Sequence, residues 1–135
     1  MNIRVIRSVE VTDGEGQYCS KVGQMWHDIA PQADRIRGCA AAVYDGYRSE
    51  NGHWSYRISS GCPDPSGEVP LQDGGAYQVY EGPKQGITGI YALWCRIWED
   101  EKTGKIRRRR SRDYEWYRAD GTVCIGISVF PPEEK

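Results

Sequence analysis

One succession of patterns, a strand, a helix and then two strands, occurs twice along this sequence and constrains the fold more than any other feature. In the first half, apolar and polar residues alternate from about Asn2 to Thr12, which predicts a strand. Apolar residues at helical spacing follow and end before Pro31, namely Val22, Met25, Trp26 and Ile29. The stretches CAAAVYDGYR and HWSYRIS then predict two antiparallel strands joined by a turn at SENG.

The second half repeats this succession after a connector, GCPDPSGEVPLQDGG, whose content of Pro, Gly and Asp predicts no regular structure. The stretch AYQVYEG predicts a strand. A helical stripe follows, formed by Ile90, Tyr91, Trp94, Ile97 and Trp98. RRSRDYEWYRA and TVCIGISVF predict two further strands, which a turn at Asp120-Gly121 connects.

Corresponding residues of the two halves are separated by nearly the same number of positions and come in the same order. Trp26 corresponds to Trp94, and YDGY, which contains Asp45, corresponds to YEWY, which contains Glu115. We therefore predict an α+β fold built from a duplicated strand-helix-strand-strand unit. A curved antiparallel sheet would carry two main helices, with a ligand pocket at the pseudo-twofold seam. Residues 1–135 would form a single domain, with halves of about 1–61 and 75–130 and a connector of about 62–74.

The charge composition argues against a general nucleic-acid-binding protein. The formal net charge is −1, so positive charge is only local, in the run Arg107 to Arg110. An acidic cluster, Glu99 to Glu101, lies just before that run. Short basic runs of this kind are usually solvated, and we expect a solvated loop here.

Cysteine and histidine usage gives no indication of a metal, a cofactor or a disulfide framework. The five cysteines are scattered and form no CxxC pair, which favours reduced, mostly buried thiols. His27 and His53 are far apart, and no glycine-rich phosphate loop is present, so we expect no metal and no cofactor. With neither a signal-peptide pattern nor an apolar run of membrane-spanning length, the chain is expected to be cytoplasmic and not to bind membranes.

Aromatic residues are unusually abundant and of an amphipathic kind. Five tryptophans and nine tyrosines occur beside one phenylalanine, and Trp and Tyr suit sites in which one end of the ring stays wet. In SRDYEWYR, strand alternation sends Glu115 and Tyr117 to one face, and Tyr114 and Trp116 to the other. A carboxylate among rings resists leaving water unless something compensates its charge, and Glu115 is therefore the candidate functional residue.

The last predicted strand also has two different faces. Four apolar residues occupy one face, Val123, Ile125, Ile127 and Val129. Thr122, Cys124, Gly126 and Ser128 occupy the other, where small side chains either allow close packing or leave room for a ligand. We favour close packing.

Over nearly its whole length the chain resembles the GyrI-like effector-binding domains, the small-molecule-sensing part of some bacterial multidrug-responsive regulators. The resemblance lies in the motifs VGQMWHDI, AAVYDGY, WSYRISSGC, GGAYQVYEGP, ITGIYALWCRIW and YEWYR. Some members of this family are free-standing domains. Among these, the resemblance is nearest to a cationic-drug-binding member that is carried in an integron gene cassette.

The resemblance implies a pocket, between sheet and helices, for cationic, planar, lipophilic compounds. An acidic residue in an aromatic-Glu-x-Tyr strand would meet the positive charge of the ligand, and this role falls to Glu115. The aromatic walls of the pocket carry over to Trp94 and to Tyr91, Tyr44, Tyr47, Trp54 and Tyr56.

Two departures from the family pattern modify these expectations. Many relatives have an acidic residue and a tyrosine in the final strand, where this chain has Cys124 and Gly126. The pocket is therefore expected to be roomier, with its charge on Glu115 alone. Because the first strand begins at Asn2, we also expect no DNA-binding helix-turn-helix upstream, so that regulation would need a separate regulator protein as partner.

Two other functions stay open. Some relatives hydrolyse strained, electrophilic rings with a pocket glutamate that activates water, and Glu115 could act in this way. We favour binding without turnover, however, and assign no catalytic residue. Other proteins of this fold associate with DNA gyrase, for which Arg107 to Arg110 would be the contact patch. Asp45 is expected to be a surface acid beside a turn.

Overall fold

The computed structural model describes residues 2–12, 40–50, 52–82, 86–118, 120 and 122–131. Within these residues the chain forms one helix and seven strands. They are β1 (Asn2–Thr12), β2 (Ala40–Glu50), β3 (His53–Pro63), β4 (Val69–Pro70), β5 (Tyr77–Gly82), α1 (Gly86–Lys102), β6 (Asp113–Tyr117) and β7 (Val123–Ser128). All strands belong to one sheet with the order β4-β1-β3-β2-β6-β7-β5.

The predicted α+β class is confirmed, and so are the predicted strands and the helix that correspond to these elements. The connector is an exception, because Val69–Pro70 pairs with Asn2 and Ile3 as a short edge strand. Proline is compatible with an edge strand, where its missing N–H deprives no neighbour of a hydrogen bond. The helix predicted around Val22 to Ile29 and the turn DGEGQ lie outside the described residues.

The antiparallel pairing of β2 with β6 joins the strands of the first half to those of the second. Ala42 lies opposite Glu115, and Tyr44 lies opposite Asp113. β3 extends the sheet from β2, and β7 extends it from β6. The side chains of β2 and β6 therefore meet where the sequence predicts the seam between the halves.

A β-bulge in β2 determines which side chains face that seam. The register with β3 shifts between Asp45 and Arg48, so that Gly46 and Tyr47 together lie opposite Tyr56. Gly46 has a φ of 67°, a conformation that glycine adopts without steric strain. Regular alternation would send Tyr44 and Tyr47 to opposite faces, but the extra residue places both in the same core cluster.

The sheet has two faces with different cores. On the helix face, Leu93, Trp94 and Ile97 of α1 pack in one cluster with Tyr44, Tyr56, Ile58, Val123, Ile125 and Ile127. The opposite face carries a smaller cluster formed by Ile3, Ala41, Val43, Leu71, Tyr114 and Cys124. The alternation predicted for β7 is confirmed, since its branched residues lie on the helix face and Cys124 lies on the other.

Gly126 shows what the small residues of β7 do. A Cβ atom added at this position would lie 2.1 Å from Cε1 of Tyr114, so the tyrosine ring covers the glycine backbone. The preference for close packing is confirmed. The expectation of a roomier pocket is wrong, because Cys124 and Gly126 face away from the side of the sheet that carries Trp94.

Helix α1 ends in a turn that directs the chain back along β7. The backbone N–H of Lys105 donates to the carbonyl of Asp100, and that of Gly104 donates to Glu101. Together with the φ of 81° at Gly104, these bonds form a Schellman motif. The arginine run follows this turn, and Arg108 forms a β-bridge with Val129.

The arginine run does not form the solvated loop predicted from the sequence. The Arg108 side chain is only 7 % exposed and pairs with Asp113 at 2.9 Å. Arg109 makes two bonds to Asp73, and Arg110 makes two to Glu101. The acidic partners of these three arginines lie on β6, on the connector and on α1, respectively.

In the described part of the chain, no helix combines the length and the apolar character that crossing a membrane would require.

Candidate functional site

Glu115 is buried at the centre of β6. Its side chain lies on the helix face, and the residue is only 3 % exposed. Tyr117 shares this face, as the alternation predicts, because its hydroxyl donates to the Glu115 carboxylate. Tyr114 and Trp116 lie in or against the opposite cluster. The face assignment that the sequence left open is therefore settled with Glu115 pointing inwards.

Three aromatic donors surround the Glu115 carboxylate. Trp94 Nε1 on α1 donates to Oε2 at 2.6 Å, and the Tyr44 hydroxyl on β2 donates to the same oxygen at 2.8 Å. The Tyr117 hydroxyl donates to Oε1 at 3.0 Å. Among the described residues, no lysine or arginine pairs with this carboxylate.

Burial raises the pKa of Glu115 above its ordinary value of 4.5. Loss of hydration disfavours the ionised form, while the hydrogen bonds from Trp94, Tyr44 and Tyr117 favour it and lower the pKa. Burial prevails over these bonds. The carboxylate is thus satisfied as a hydrogen-bond acceptor, but its negative charge has no described counter-ion.

The surrounding rings form a continuous layer on the helix face. Tyr44 contacts Trp94 with ring centroids 5.5 Å apart, and it contacts Tyr56 at 5.9 Å. Tyr47 continues the layer from Tyr56 at 5.3 Å, and Trp54 packs edge-on against Tyr47 at 6.4 Å. Five of the six predicted wall residues are therefore neighbours in one layer. The side chain of the sixth, Tyr91, lies outside the described part of the helix.

Trp98 extends this layer towards solvent. Its ring lies 6.0 Å from that of Trp94, one helical turn earlier, and the residue is 49 % exposed. Trp94 itself is only 8 % exposed. The indole pair on α1 therefore connects the buried carboxylate to the surface, a role that the sequence analysis did not give to Trp98.

A second carboxylate, Asp113, lies on the same strand face two residues before Glu115 and is fully buried. Its Oδ2 accepts hydrogen bonds from the Tyr47 hydroxyl at 2.7 Å and from Arg108 Nη2 at 2.9 Å. Its Oδ1 accepts from the backbone N–H and the hydroxyl of Ser128. Burial, followed by the charge of Asp113, raises the pKa of Tyr47 well above its ordinary value of 10.

Arg108 connects the two carboxylates through the ring layer. Its guanidinium carbon lies 5.8 Å from the ring centroid of Trp94 and 6.0 Å from that of Tyr47, within the range of cation–π attraction. The sequence analysis missed both Arg108 and Asp113. The signal for Asp113 was its alternation with Glu115 and Tyr117, whereas the fold alone reveals which arginine of the run turns inwards.

The expectation for Asp45 is wrong. This residue is 6 % exposed and pairs with Arg57 through both of its oxygens, at 3.0 and 3.1 Å. Arg112 approaches the same carboxylate at 3.6 Å. Tyr44 is in the cluster of the helix face, so its neighbour Asp45 points to the other side of the sheet. Asp45 and Glu115 are therefore not equivalent positions.

Neither the cysteines nor the potential metal ligands form a further candidate site within the described residues. Cys95 and Cys124 are free thiols, and the expectation of burial is wrong for Cys95, which is exposed. Cys19 and Cys39 lie outside the described residues. In the ranges that the structure covers, no three His, Cys, Asp or Glu side chains are grouped closely enough to hold a metal ion.

The described part of the chain also carries surface cavities away from Glu115. Three of them, of about 550, 280 and 280 Å³, are lined by other residues. The largest of these three lies between β5 and the segment after α1, beside Lys105 and Phe130. None of the rings of the layer described above lines any of these three cavities.

The geometry defines an α+β protein whose antiparallel sheet and helix enclose a carboxylate among aromatic hydrogen-bond donors. Comparison with solved structures finds a similar fold in an integron cassette protein from the mobile metagenome of Vibrio cholerae. The two chains share a TM-score of 0.65 and 20 % sequence identity, over 96 % of this chain and 95 % of that chain. This likeness shows a shared fold. No protein-family model and no curated protein matches the sequence.

Proposed function

We propose that the protein binds cationic, planar, lipophilic small molecules, with Glu115 as the counter-ion and the aromatic layer as the binding surface. The observation that carries this proposal is the partner set of Glu115. Trp94, Tyr44 and Tyr117 satisfy its oxygens, yet none of them compensates its charge. A ligand cation would supply the missing counter-charge in a dry site, where electrostatic attraction is strong.

Approximate interaction energies are consistent with a micromolar dissociation constant. A unit charge about 4 Å from the carboxylate gains roughly 4 kcal/mol at an effective dielectric constant of about 20. Each contact with the face of Trp94 or a tyrosine adds about 0.5 to 2 kcal/mol. A micromolar dissociation constant requires about −8 kcal/mol in total, which burial of the apolar ligand can complete.

Low selectivity for the shape of the ligand follows from the chemistry of the site. Ring faces and a single carboxylate impose little directional hydrogen bonding on a guest, whereas they do require positive charge. Neutral and anionic molecules of the same size would leave the charge of Glu115 uncompensated. The site is therefore expected to discriminate by charge and planarity more than by substituent pattern.

Fluorescence titration with ethidium, a planar monocation, tests the proposal. The expected result is micromolar binding by the wild-type protein and none of fluorescein, an anionic planar dye. Glu115→Gln should weaken ethidium binding by about 30-fold or more, because the charge partner is lost while the shape of the side chain is kept. Ethidium bound equally well by this variant would show that the carboxylate is not the counter-ion.

A matched control comes from Glu81, whose carboxylate is 64 % exposed and pairs with Arg118. Glu81→Gln makes the same change in net charge on the surface, and it should leave ethidium affinity within about twofold because exposed charges are well screened. A loss of binding in both variants would indicate a nonspecific effect of net charge.

The pH dependence of binding gives a second readout on the same residue. Only the ionised carboxylate attracts a cation, so ethidium affinity should rise with pH through the raised pKa of Glu115 and then become constant. The Glu115→Gln variant should show no such rise. A wild-type profile that is already flat from below pH 4.5 upwards would contradict the raised pKa.

The family and the finer architecture belong to the same proposal. We infer a GyrI-like effector-binding domain made of a duplicated unit, with a second helix over Val22 to Ile29. The sequence motifs and the fold of an integron cassette protein support this assignment. The two halves would correspond through their strands and helices, but not through Asp45 and Glu115. Any transcriptional response would pass through a separate regulator protein.

The alternative functions gain no support from the described residues. Arg108, Arg109 and Arg110 make ion pairs within the protein, so they do not form the open basic patch that association with gyrase or nucleic acid would use. Hydrolysis would require Glu115 to activate a water molecule, but three donors already occupy its oxygens. Binding remains the function that this geometry supports best.

A further inference from the structure

Arg108 compensates one of two neighbouring negative charges in the candidate site. Asp113 and Glu115 alternate on one face of β6, and both are buried. The Arg108 guanidinium bonds to Asp113, whereas Glu115 accepts bonds only from Trp94, Tyr44 and Tyr117 among the described residues. The strand thus holds one paired and one unpaired carboxylate.

The charges around Asp113 balance locally. Arg108 also approaches Glu101 at 3.9 Å, and Arg110 holds Glu101 through two hydrogen bonds of 2.8 and 2.9 Å. These two arginines and two carboxylates sum to zero. Glu115, which lies outside this group, therefore contributes a net charge of about −1 to the site.

Both carboxylates are within reach of the same ligand surface. Trp94 donates to Glu115 through its indole N–H, and the Arg108 guanidinium lies over the same indole ring. Tyr47 bonds to Asp113 and belongs to the ring layer. A cation that contacts Trp94 would therefore lie near Glu115 and also near the Arg108–Asp113 pair.

We propose that Arg108 determines the charge of the preferred ligand: by neutralising Asp113, it leaves Glu115 as the single uncompensated carboxylate and makes the site selective for monocations over dications. This inference rests on the proposed function. Arg108 would repel the second charge of a dication while acting as an internal cation for Asp113. Removal of the Arg108 charge would leave Asp113 as a second uncompensated carboxylate, and the site would then prefer a dication.

Ethidium and propidium test this inference, because they share one ring system and carry one and two positive charges. The measured quantity is the ratio of their affinities, which cancels the contribution of the shared rings. Arg108→Met should raise the propidium-to-ethidium ratio by about tenfold, as expected for a newly unpaired charge at moderate distance in a partly screened site. Circular dichroism and thermal unfolding would show that this variant is folded.

Two controls separate charge from shape. Arg108→Lys keeps the positive charge and should keep the wild-type ratio within about twofold. The double variant Arg108→Met with Asp113→Asn removes both charges of the pair, so the net charge of the site returns to −1 and the ratio should return to the wild-type value. A ratio that rises equally in the single and double variants would indicate lost side-chain volume and would overturn the inference.

A third variant tests the inference even if Arg108→Met fails to fold. Asp113→Asn with Arg108 intact leaves a net charge of zero, so both dyes should bind more weakly and propidium should lose about tenfold more than ethidium. An unchanged ratio in this variant would overturn the inference. A wild-type protein that binds neither dye would instead overturn the proposed function, which makes the two failures distinguishable.

Discussion

Asp113 and Glu115 have the same strand, the same face and nearly the same burial, but they have opposite partner sets. Asp113 accepts four hydrogen bonds, one of them from the guanidinium of Arg108. Glu115 accepts three, all from aromatic side chains. Burial alone therefore does not show whether the charge of a carboxylate is compensated. The difference lies in whether the protein supplies the counter-charge itself.

This contrast predicts opposite consequences for stability. The Asp113–Arg108 pair links β6 to the segment after α1, and loss of either partner leaves the other charge buried. Glu115 already keeps a charge in the interior without a described counter-ion, so its neutralisation removes an unfavourable contribution to the stability of the folded protein. The protein would therefore tolerate the neutralisation of Glu115 better than that of Asp113.

Asp113→Ala should have the largest effect. It leaves Arg108 buried without its acidic partner and deprives Ser128 and Tyr47 of their acceptor, so the free energy of unfolding should fall by about 3 to 5 kcal/mol. Urea denaturation measures this loss. The double variant Asp113→Ala with Arg108→Met should recover part of it, since it removes the unpaired cation as well. A loss below about 1 kcal/mol would show that Arg108 does not depend on Asp113.

Glu115→Gln should have a smaller, pH-dependent effect. The raised pKa of Glu115 means that its contribution to stability is fully present below pH 4.5 and is lost as pH rises through its pKa in the folded protein. The Gln variant should therefore gain stability relative to the wild type as pH increases, by about 1.4 kcal/mol for each unit by which the pKa is raised. Urea denaturation of both proteins between about pH 4 and pH 8 measures the difference.

The sign of this change distinguishes Glu115 from an ordinary paired carboxylate. Asp73 is the internal reference, because hydrogen bonds from Arg109 and Ser111 lower its pKa, so that its contribution is present at neutral pH and lost on acidification. Asp73→Asn should consequently lose stability relative to the wild type as pH rises. If Glu115→Gln followed the same trend as Asp73→Asn, the assignment of an uncompensated charge to Glu115 would be wrong.

Tyr117→Phe should have the smallest effect on stability, about 1 kcal/mol, for one hydrogen bond to a buried carboxylate. Because this bond lowers the pKa of Glu115, its loss should move the pH at which ethidium binding begins to a higher value. Tyr47→Phe removes a bond to Asp113 instead and should leave that pH unchanged. Equal shifts in both variants would mean that the bond from Tyr117 has no specific effect on the pKa of Glu115.

The sequence predicted all the described strands except β4, the second helix, and the alternation of side chains along β6, because each depends on local periodicity. Alternation around Glu115 and Tyr117 and helical spacing around Trp94 and Ile97 are visible in a single segment. Five predicted wall residues also lie together, although they come from three separate elements. These wall residues were predicted from the family resemblance, not from periodicity.

The errors arose where the partner of a side chain depends on the path of the backbone through turns and bridges. Arg108, Arg109 and Arg110 look alike in sequence, but the Schellman turn and the bridge to Val129 give each a different acidic partner. Arg110 adopts a left-handed backbone conformation with a φ of 51°, which costs a residue with a side chain about 1 kcal/mol. Its two hydrogen bonds to Glu101 offset this cost. Periodicity carries no information about such pairings.

The correspondence between Asp45 and Glu115 failed for a local reason that a sequence repeat does not show. The alignment of YDGY with YEWY assumes that side chains alternate regularly in both strands. In the first strand, however, the register shift after Asp45 changes which residues share a face. Tyr44 lies with Glu115 on the helix face, whereas Tyr114 covers Gly126 on the other.

The bulge at Gly46 also shows that the arrangement of the ring layer does not follow from its amino-acid composition alone. One additional backbone residue rotates Tyr47 into the neighbourhood of Tyr56 and Asp113, without any change in the aromatic residues that the strand contains. If Gly46 instead continued the regular pairing with β3, alternation would turn that ring to the far side of the sheet. The presence of a bulge therefore decides which rings share a face, whatever number of rings the strand contains.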